Sequence, residues 1–338
     1  MFVHSWRIVL DMARWLDRLN RDPIPTLLHE GEEALVYFAN RDLLGIAIPP
    51  VEYLWQLPEA AALLRVQRPD GSWKYGGAPR AEWEDYSLLE TYRNVGILVQ
   101  MYGFTREHPA LARAAEFLFS RQTPDGDIRG ILGNQTMPYY HGAILERLVQ
   151  AGYEDDPRVR RGLDWLLDVR QSDGGWLVPT QMIPWKARTE AFWTGPTLPT
   201  DPEKPSAHMA TGMAIRALAL HPDYNRRPEV ARAGEFLAGR LFKPDAYGDR
   251  QAVDYWFKFQ YPFWWTNLVT ALDSLARLGF TAADPRVRRG LEWFVENQEQ
   301  DGLWFIGYGS GSKAKLARVW VGLAICRVLD QYELDEPI

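Results

Sequence analysis

The chain has 338 residues, a formal net charge of −6 and one cysteine, Cys326. This length suffices to bury a large core, the acidic charge argues against binding to nucleic acid, and a lone cysteine excludes intrachain disulfides and cysteine-rich zinc sites. Aromatic residues make up 13% of the chain, with 15 tryptophans, which is typical of a protein that lines a cavity or binds an apolar ligand.

The pattern of apolar residues indicates a soluble protein of the cytoplasm. Residues 1–7 show no basic region followed by a long apolar run, as a signal peptide would. No stretch approaches the roughly 18 uncharged apolar residues of a membrane-spanning helix. We expect no transmembrane segment, no nucleic-acid partner and no cofactor, and the sequence leaves the oligomeric state open.

Helical periodicity runs through residues 1–50, interrupted by Pro23, Pro25, Pro49 and Pro50. Residues 26–30 and 32–38 predict one helix, and residues 6–19 predict a second, amphipathic one. We expect this N-terminal region to pack on the repeats that follow it.

From residue 51 onward, the sequence repeats a unit of two helices. In a typical unit, a helix ends in a turn that usually contains glycine, a second helix begins with proline, and an Asp-Gly turn follows, which is degenerate around Pro244 and Asp245 in the fourth unit. The clearest copies are 156–168 and 284–296, which share the run Asp-Pro-Arg-Val-Arg-Arg-Gly-Leu. The predicted helices cover 51–66, 86–102, 109–120, 139–151, 157–169, 207–220, 228–241, 264–278, 285–297 and 314–330.

The two helices of a unit differ in polarity. The proline-started helices carry many charges, such as Arg158, Arg160 and Arg161, whereas the preceding helices are more apolar. This contrast predicts inner and outer layers of helices, and about six such hairpins can close on themselves. We therefore predict an all-α fold, an (α/α)6 toroid over 51–338, which forms one structural domain with residues 1–50. An insertion over 177–205 keeps its tryptophans and predicts an ordered loop.

The turns between the units resemble a known motif. The segments Gln67-x-x-Asp70-Gly71-Ser72-Trp73, Gln122-x-x-Asp125-Gly126 and Gln298-x-x-Asp301-Gly302-x-Trp304 are similar to the Gln-Trp repeat of squalene and oxidosqualene cyclases. The beta subunits of protein prenyltransferases share the motif more loosely. The resemblance covers residues 51–330 and implies an alpha-alpha toroid in which these turns tie outer helices together at one rim.

Two motifs of these families are missing from the chain. Class II cyclases protonate their substrate with an Asp-x-Asp-Asp motif, which this sequence does not contain. Protein prenyltransferases hold zinc with an aspartate, a cysteine and a histidine in an Asp-x-Cys context, but Cys326 follows Ala324 and Ile325. The resemblance therefore implies the fold and an isoprenoid-like type of substrate, and neither established chemistry carries over.

Ligands of such a toroid enter where the inner helices begin, so residues at those starts are candidates for function. In the second repeat, Asp85 and Glu90 rank first as general acids, because a carboxyl group desolvated in an aromatic cavity has a raised pKa. The alternative is simple capping, since carboxylates near a helix start are favoured by the helix dipole. Tyr92 and Arg93 of the same helix are predicted to contact the substrate.

Two histidines take corresponding positions in the third and fourth repeats. His141 and His208 both lie near the start of a predicted inner helix, and Tyr139 and Tyr140 precede the first of them. The histidines are candidates for acid–base catalysis, and the tyrosines for substrate binding. A metal site would need a third ligand, which the spacing does not supply, so none is predicted.

The densest aromatic run covers residues 254–267 of the fifth repeat. Such rings can stabilise a cation, stack on sugars or line an apolar pocket. The residues predicted to line the cavity are Trp256, Tyr261, Phe263, Trp264, Trp265 and Asn267, with Trp185 of the insertion. Lys315 and Arg318 of the last helix are candidates to hold an anionic group at the cavity mouth, the alternative being a solvated basic helix start.

Three functions remain open at this point. The first is a terpene cyclase-like enzyme, a cyclase, isomerase or hydratase/dehydratase, that acts on an apolar terpenoid-like molecule by general acid–base chemistry. The second is a carbohydrate-active lyase or hydrolase, because alpha-alpha toroids also host these enzymes. The third is a toroid that binds a lipid or peptide without catalysis. Aromatic content and the resemblance favour the first.

Overall fold

The computed structural model describes residues 15–77, 86–247 and 250–332. Within these ranges every regular element is helical, and the β-structure amounts to isolated bridges such as Gln122 with Ile128. The all-α fold class is therefore confirmed. The α-helices, numbered α1 to α13 here, are Ile24–Glu30, Glu33–Asp42, Pro58–Arg65, Tyr86–Tyr102, Pro109–Phe119, Pro138–Gln150, Pro157–Asp168, Glu190–Thr194, His208–Leu220, Pro228–Arg240, Leu268–Arg277, Pro285–Glu296 and Gly311–Gln331.

Backbone contacts divide the chain into two compact units. Unit 1 combines Met1–Pro50 with Asp254–Ile338, and unit 2 is Val51–Val253. The N-terminal helices α1 and α2 thus belong to the same unit as α11, α12 and α13. The expectation that residues 1–338 form one structural domain stays a prediction.

Unit 2 consists of helical hairpins with an apolar and a polar member. The apolar helices α4, α6 and α9 are buried along most of their length, whereas α5, α7 and α10 keep one exposed face. Helix α6 packs closely on α9 because residue 142 is glycine: a Cβ atom there would lie 2.6 Å from Cα of Ala214. The predicted inner and outer layers are present in this unit.

The Gln-Trp turns connect consecutive outer helices. The Gln67 amide donates to the carbonyl of Gly71, at 3.0 Å, and to that of Ala110 in the first turn of α5, at 2.8 Å. Gln122 makes the same pair of bonds to Gly126 and to Arg158 in α7. Because the last turn of one outer helix is tied to the first turn of the next, each turn sets the spacing between neighbouring repeats.

The third turn has a different partner. The Gln171 amide donates to the carbonyls of Asp201, at 2.6 Å, and Lys204, at 2.9 Å, both in the insertion. The turn glycine still contacts the next outer helix, since a Cβ at Gly174 would lie 2.9 Å from Cγ of Arg232 in α10. The insertion is therefore anchored by a glutamine that elsewhere links two outer helices.

In unit 1, the N-terminal segment takes the place of an outer helix at the last turn. The Gln298 amide donates to the Arg21 carbonyl at 2.8 Å, and the Arg21 N–H donates back to the Gln298 oxygen at 2.8 Å. Asp22 and Pro23 lie against Gly302, as Arg113 of α5 lies against Gly71 in unit 2. Helix α1 thus takes the same position next to this turn as α5 takes next to the Gln67 turn and α7 next to the Gln122 turn.

Three predicted helices differ from the observed ones. The helix expected over 26–38 is two helices, since α1 ends at Glu30 and the backbone is extended at Gly31. The helix expected over 51–66 is a 3-10 segment, Val51–Gln56, followed by α3, which starts at Pro58. The helix expected from residue 264 begins only at Leu268, because Asn267 caps it. The N-terminal prediction over 6–19 lies largely outside the described residues, and Leu16–Arg18 is a 3-10 turn.

Candidate functional site

Three sequence-predicted residues of unit 2 form an aromatic cluster at the amino ends of α4 and α6. The rings of Tyr139 and Tyr140 lie 4.3 Å apart, and those of Tyr92 and Tyr140 lie 6.2 Å apart. Tyr92 is buried, whereas Tyr139 and Tyr140 are half-buried. The cluster therefore presents aromatic surface that a ligand can reach, backed by a buried ring.

Two tyrosine hydroxyls of this cluster are poorly solvated. Burial raises the pKa of Tyr92, and burial also raises the pKa of Tyr140. The Tyr92 hydroxyl has no hydrogen-bond partner among the described residues. A buried polar atom in this condition indicates a position where a ligand or water completes the site.

A partly exposed ion pair lies beside the tyrosines. The Arg93 guanidinium is 3.5 Å from the Glu90 carboxylate, and each side chain is about one quarter exposed. The positive charge of Arg93 acts on the hydroxyls of both Tyr92 and Tyr140. Glu90, Tyr92, Arg93, Tyr139 and Tyr140 are thus brought together, and their roles in catalysis and binding stay predictions. Asp85, the other predicted acid, lies outside the described residues.

His208 starts helix α9 and is held by an aspartate from far along the chain. The backbone N–H groups of His208 and Met209 donate to the two carboxylate oxygens of Asp245, at 3.0 and 2.9 Å. The same carboxylate lies 3.6 Å from Nδ1 of the imidazole. Burial lowers the pKa of His208 to about 4, against the opposing charge of Asp245. His208 is therefore a neutral imidazole at neutral pH and a potential proton acceptor.

Asp245 acts on His208, and Arg250 acts on the tyrosine cluster through its charge. Asp245 and Arg250 lie in the segment that follows α10, and the Asp245 N–H donates to the Gln251 carbonyl. The charge of Arg250 acts on the hydroxyl of Tyr140, while Asp245 caps α9. The neutral imidazole and the tyrosines therefore belong to one end of the α4, α6 and α9 group.

His141 is directed away from this cluster, towards the outer helix. Its Nδ1 accepts a hydrogen bond from the Ile128 N–H, and its Nε2 donates to the Gly162 carbonyl, both at 2.9 Å. Its ring also meets Trp165 of α7 edge to face, and burial lowers the pKa of His141 to about 4. Both nitrogens are engaged in holding α6 to its neighbours, so the geometry lends the prediction of catalysis by His141 no support.

Sequence reasoning missed a group of charges buried among the inner helices. One oxygen of Glu146 is 3.0 Å from an Arg147 nitrogen and 3.4 Å from Nε of Arg216, and all three side chains are buried. The charges of these residues act on the Tyr92 hydroxyl. The available signal was the presence of a Glu-Arg pair in α6 and an arginine in α9, because both helices are otherwise apolar. A charge that is buried in such surroundings needs a partner of opposite charge.

Trp185, predicted to contact the substrate, lies in a short 3-10 segment of the insertion and is 74% exposed. Its ring is covered only in part, by the Arg188 guanidinium at 5.4 Å. The structure does not bring Trp185 to the tyrosine cluster.

Unit 1 contains the predicted aromatic run, which forms contacts within that unit. Tyr261 stacks on Trp320 of α13 at 5.1 Å and meets Phe263 edge to face, and Trp265 meets Tyr308 at 5.3 Å. Phe263 and Trp265 are buried, and Tyr261 is half-buried. Trp256 is fully buried and Trp264 half-buried. These rings form an aromatic wall of unit 1, part of which is accessible.

Three predicted binding residues of unit 1 have other surroundings. Asn267 is buried and forms a capping box with Thr270 at the start of α11. Arg318 donates to Asp301 and Glu299 and so ties α13 to the last Gln-Trp turn; hydrogen bonding to Arg318 lowers the pKa of Asp301. Lys315 is exposed on α13. The bonds of Asn267 and Arg318 are structural, and they lend the substrate-binding prediction for these two no support.

Two features are absent from the described ranges. In residues 15–77, 86–247 and 250–332, no helix has the length and apolarity that crossing a membrane requires. In the same ranges, no three histidine, cysteine or acidic side chains are grouped so as to hold a metal ion.

Comparison with known proteins identifies relatives of part of this chain. Residues 82–183 match the Squalene-hopene cyclase C-terminal domain. The chain is 33% identical over 89 residues to a probable squalene–hopene cyclase of Sinorhizobium fredii, covering 25% of this chain and 13% of that protein. It is 27% identical over 150 residues to the squalene–hopene cyclase of Bradyrhizobium diazoefficiens, covering 44% of this chain and 20% of that protein.

The matched regions are thus about one eighth and one fifth of the length of these cyclases. Among solved structures, a substituted form of the type II terpene cyclase MstE from Scytonema aligns over 96% of this chain and 98% of its own, with 12% identity and a TM-score of 0.47. The family match spans α4 to α7 and the turns that begin at Gln122 and Gln171, and it contains the tyrosine cluster. Together with the two cyclase relatives, it makes this part of the chain similar to the squalene cyclase-like alpha-alpha toroid superfamily.

Proposed function

We propose that this protein is a terpene cyclase-like enzyme that acts on an apolar isoprenoid by general acid–base chemistry. The observation that carries the proposal is the cluster of Tyr92, Tyr139 and Tyr140 beside the Glu90–Arg93 ion pair. It lies within the region similar to squalene–hopene cyclases. Aromatic rings of this kind bind hydrocarbon and stabilise a carbocation through their faces.

The proposed reaction begins with protonation of a carbon–carbon double bond. A carboxylic acid gives its proton to one alkene carbon, which leaves a cation on the other. Asp85 is the first candidate for this acid, and Glu90 can take the role only in its protonated form, without the ion pair to Arg93. The electrons of a second double bond attack the cationic carbon and form a new carbon–carbon bond, which closes a ring and leaves the positive charge on the other carbon of that second double bond. This positive charge is stabilised by the rings of the tyrosine cluster.

The reaction ends when a base removes a proton from the final cation. His208 suits this role because its imidazole is neutral at neutral pH and is oriented at the start of α9 by Asp245. The proton lost at the end balances the proton gained at the start, so the product is an isomer of the substrate. Capture of the cation by water instead would give a hydrated product.

Deuterium labelling tests this proposal directly. The purified protein is incubated with farnesol, geranylgeraniol or squalene in H2O and in D2O, and the products are analysed by gas chromatography and mass spectrometry. We expect an isomer of one substrate that carries one deuterium after reaction in D2O. Conversion without deuterium would exclude initiation by protonation, and an absence of conversion across the panel would contradict the proposed substrate class.

Substitutions then assign the acid and the base. We expect Asp85→Asn or Glu90→Gln, whichever removes the acid, and His208→Gln to lower the turnover number by about 100-fold or more. Asp168→Asn, at an exposed position at the end of α7, serves as the matched control and should keep full turnover. Full turnover by both carboxyl variants would show that the acid lies elsewhere.

A further inference from the structure

The insertion encloses a pocket that is separate from the tyrosine cluster. The pocket has a volume of about 160 Å³. Its lining consists of Gln171, Leu177, Pro179, Met182, Ile183, Leu198, Pro199, Thr200 and Asp201. Leu177 and Pro179 form a buried floor, while Met182 and Pro199 are exposed at the opening. The pocket is therefore a half-open hollow between the insertion and the end of the third repeat.

The walls of the pocket are held in place by hydrogen bonds. On one side, the Gln171 amide donates to the carbonyls of Asp201 and Lys204, and the Ser172 N–H donates to the Pro202 carbonyl at 2.7 Å. On the other side, the Leu198 N–H donates to the side-chain oxygen of Gln135 at 2.9 Å. Because both edges are tied to the repeats, the hollow is formed before any ligand arrives, which lowers the entropy cost of binding.

The polar residues in the lining do not make the pocket polar. The Gln171 amide nitrogen is used by the two insertion carbonyls. The Asp201 carboxylate accepts from the Glu203 N–H at 3.1 Å and so faces its own turn. The remaining surface comes chiefly from the aliphatic and thioether side chains of Leu177, Met182, Ile183 and Leu198. A pocket of this composition favours a ligand without charge or hydrogen-bonding groups.

The volume sets the size of the occupant. A cavity of about 150 Å³ lined by leucine, isoleucine and phenylalanine stays dry and binds benzene. We propose that this insertion pocket is an accessory binding site for a compact hydrocarbon group of about five or six carbons. The group is either a small molecule bound whole or the end of a longer hydrocarbon chain that enters through the opening beside Met182. The site does not depend on the function proposed above.

Binding is tested by nuclear magnetic resonance on protein with 13C-labelled methionine methyl groups. The Met182 resonance is assigned by its loss in Met182→Leu, and benzene and 2-methyl-2-butene are the titrated probes. We expect a saturable shift at Met182 with both. If one or both of the probes give no saturable shift at Met182, the proposal is overturned.

A variant that fills the pocket separates specific binding from general partitioning of the probe. Leu198→Trp occupies the hollow and should weaken binding of both probes at least ten-fold. Leu64→Trp, at another half-buried leucine of unit 2 outside the pocket, should leave binding unchanged. Equal binding by Leu198→Trp and the wild type would overturn the assignment. If Leu198→Trp does not fold, as judged by circular dichroism, Ile183→Phe replaces it with the same expected outcome.

Titration with farnesol distinguishes the two sources of the hydrocarbon group. If the pocket takes the end of a long chain, farnesol shifts the Met182 resonance and Leu198→Trp abolishes that shift. If benzene and 2-methyl-2-butene shift the Met182 resonance and farnesol does not, the pocket binds small molecules whole. Both results support the site, and neither depends on turnover at the tyrosine cluster.

Discussion

Two buried histidines show how the same residue type serves different purposes in neighbouring repeats. His141 and His208 are both uncharged at neutral pH because burial lowers the pKa of each to about 4. The ring of His141 bonds to the backbone of residues 128 and 162 through both nitrogens. The ring of His208 instead lies beside a carboxylate at the start of a helix. Only the second arrangement is suited to proton transfer with a ligand.

The first prediction concerns the structural role of His141. Replacing it with alanine should lower the free energy of unfolding by about 2–4 kcal/mol, because a cavity forms and the Ile128 N–H and the Gly162 carbonyl lose their partner. Urea denaturation followed by circular dichroism measures this change. His29→Ala, at an exposed position of α1, is the matched control. A loss of less than 0.5 kcal/mol, on the order of ordinary surface substitutions, would contradict the structural role.

At the scale of the element, helix starts are stabilised by residues distant in sequence. Helix α9 has no side-chain cap of its own at Ala207. Asp245, which follows the next helix, supplies both carboxylate oxygens to the N–H groups of His208 and Met209. A carboxylate at this position also interacts favourably with the helix dipole. One aspartate therefore both caps α9 and orients the candidate base.

The second prediction tests this cap. We expect Asp245→Ala to lower the free energy of unfolding by about 1–3 kcal/mol, since two hydrogen bonds to a buried carboxylate are lost. Asp245→Asn should cost less, because its amide oxygen can still accept one of the two bonds. Asp168→Ala, which removes an exposed carboxylate from α7, provides the comparison in thermal and urea denaturation. If Asp245→Ala is as stable as Asp168→Ala, the cap contributes nothing.

The Gln-Trp turns lead to a third prediction, which contrasts two equivalent glutamines. Gln122→Ala removes the link between α5 and α7 and should lower the free energy of unfolding by about 1–3 kcal/mol. Gln171→Ala removes the anchor of the insertion, so it should chiefly accelerate hydrogen exchange and proteolysis within residues 196–205. Exchange mass spectrometry of both variants measures the difference. Equal acceleration at 196–205 in Gln122→Ala would refute the distinction.

At the scale of the whole molecule, the buried histidines make stability depend on pH. The folded pKa of His141 and of His208 is about 4, below the unfolded value of about 6.5. The unfolded chain therefore binds protons between these values that the folded chain does not bind. Stability due to these groups is complete above about pH 6.5 and is lost as the pH falls towards 4. The pKa of His108 is also lowered by burial, which adds to the same effect.

The fourth prediction follows from this linkage. The free energy of unfolding should fall between about pH 6.5 and pH 4, by at most about 3 kcal/mol for each of His141 and His208. Urea titrations across this range give the slope, and His141→Gln should reduce it, because glutamine does not titrate. An unchanged slope in His141→Gln would show that this imidazole is not responsible.

Much of the secondary structure follows from the sequence because its signals are local. Proline starts α5, α7, α10 and α12 as predicted, since it lacks an N–H and its φ suits the first helical position. The Asp-Gly turns recur after α3, α5, α7 and α12, whereas α10 is followed by Pro244-Asp245-Ala246. The repeats therefore determined the fold class, the number of hairpins that could be recognised and nearly all helix starts in unit 2.

The candidate site was predicted in part, for a related reason. Glu90, Tyr92, Arg93, Tyr139 and Tyr140 lie near the starts of apolar helices, so their convergence follows from the repeat pattern. The directions of side chains do not follow from it. His141 and His208 occupy similar positions in their repeats, yet one turns to the outer helix and the other lies beside Asp245.

The sequence by itself thus determined the repeating hairpins and their turns, because proline, glycine and apolar periodicity act within a few residues. Only the tertiary structure decided which groups pair across the chain. Asp245 reaches the start of α9, Glu146 of α6 pairs with Arg216 of α9, and Gln171 bonds to the insertion rather than to α10. These pairings depend on packing between residues far apart in sequence, and buried polar groups accept whichever partner that packing brings within reach.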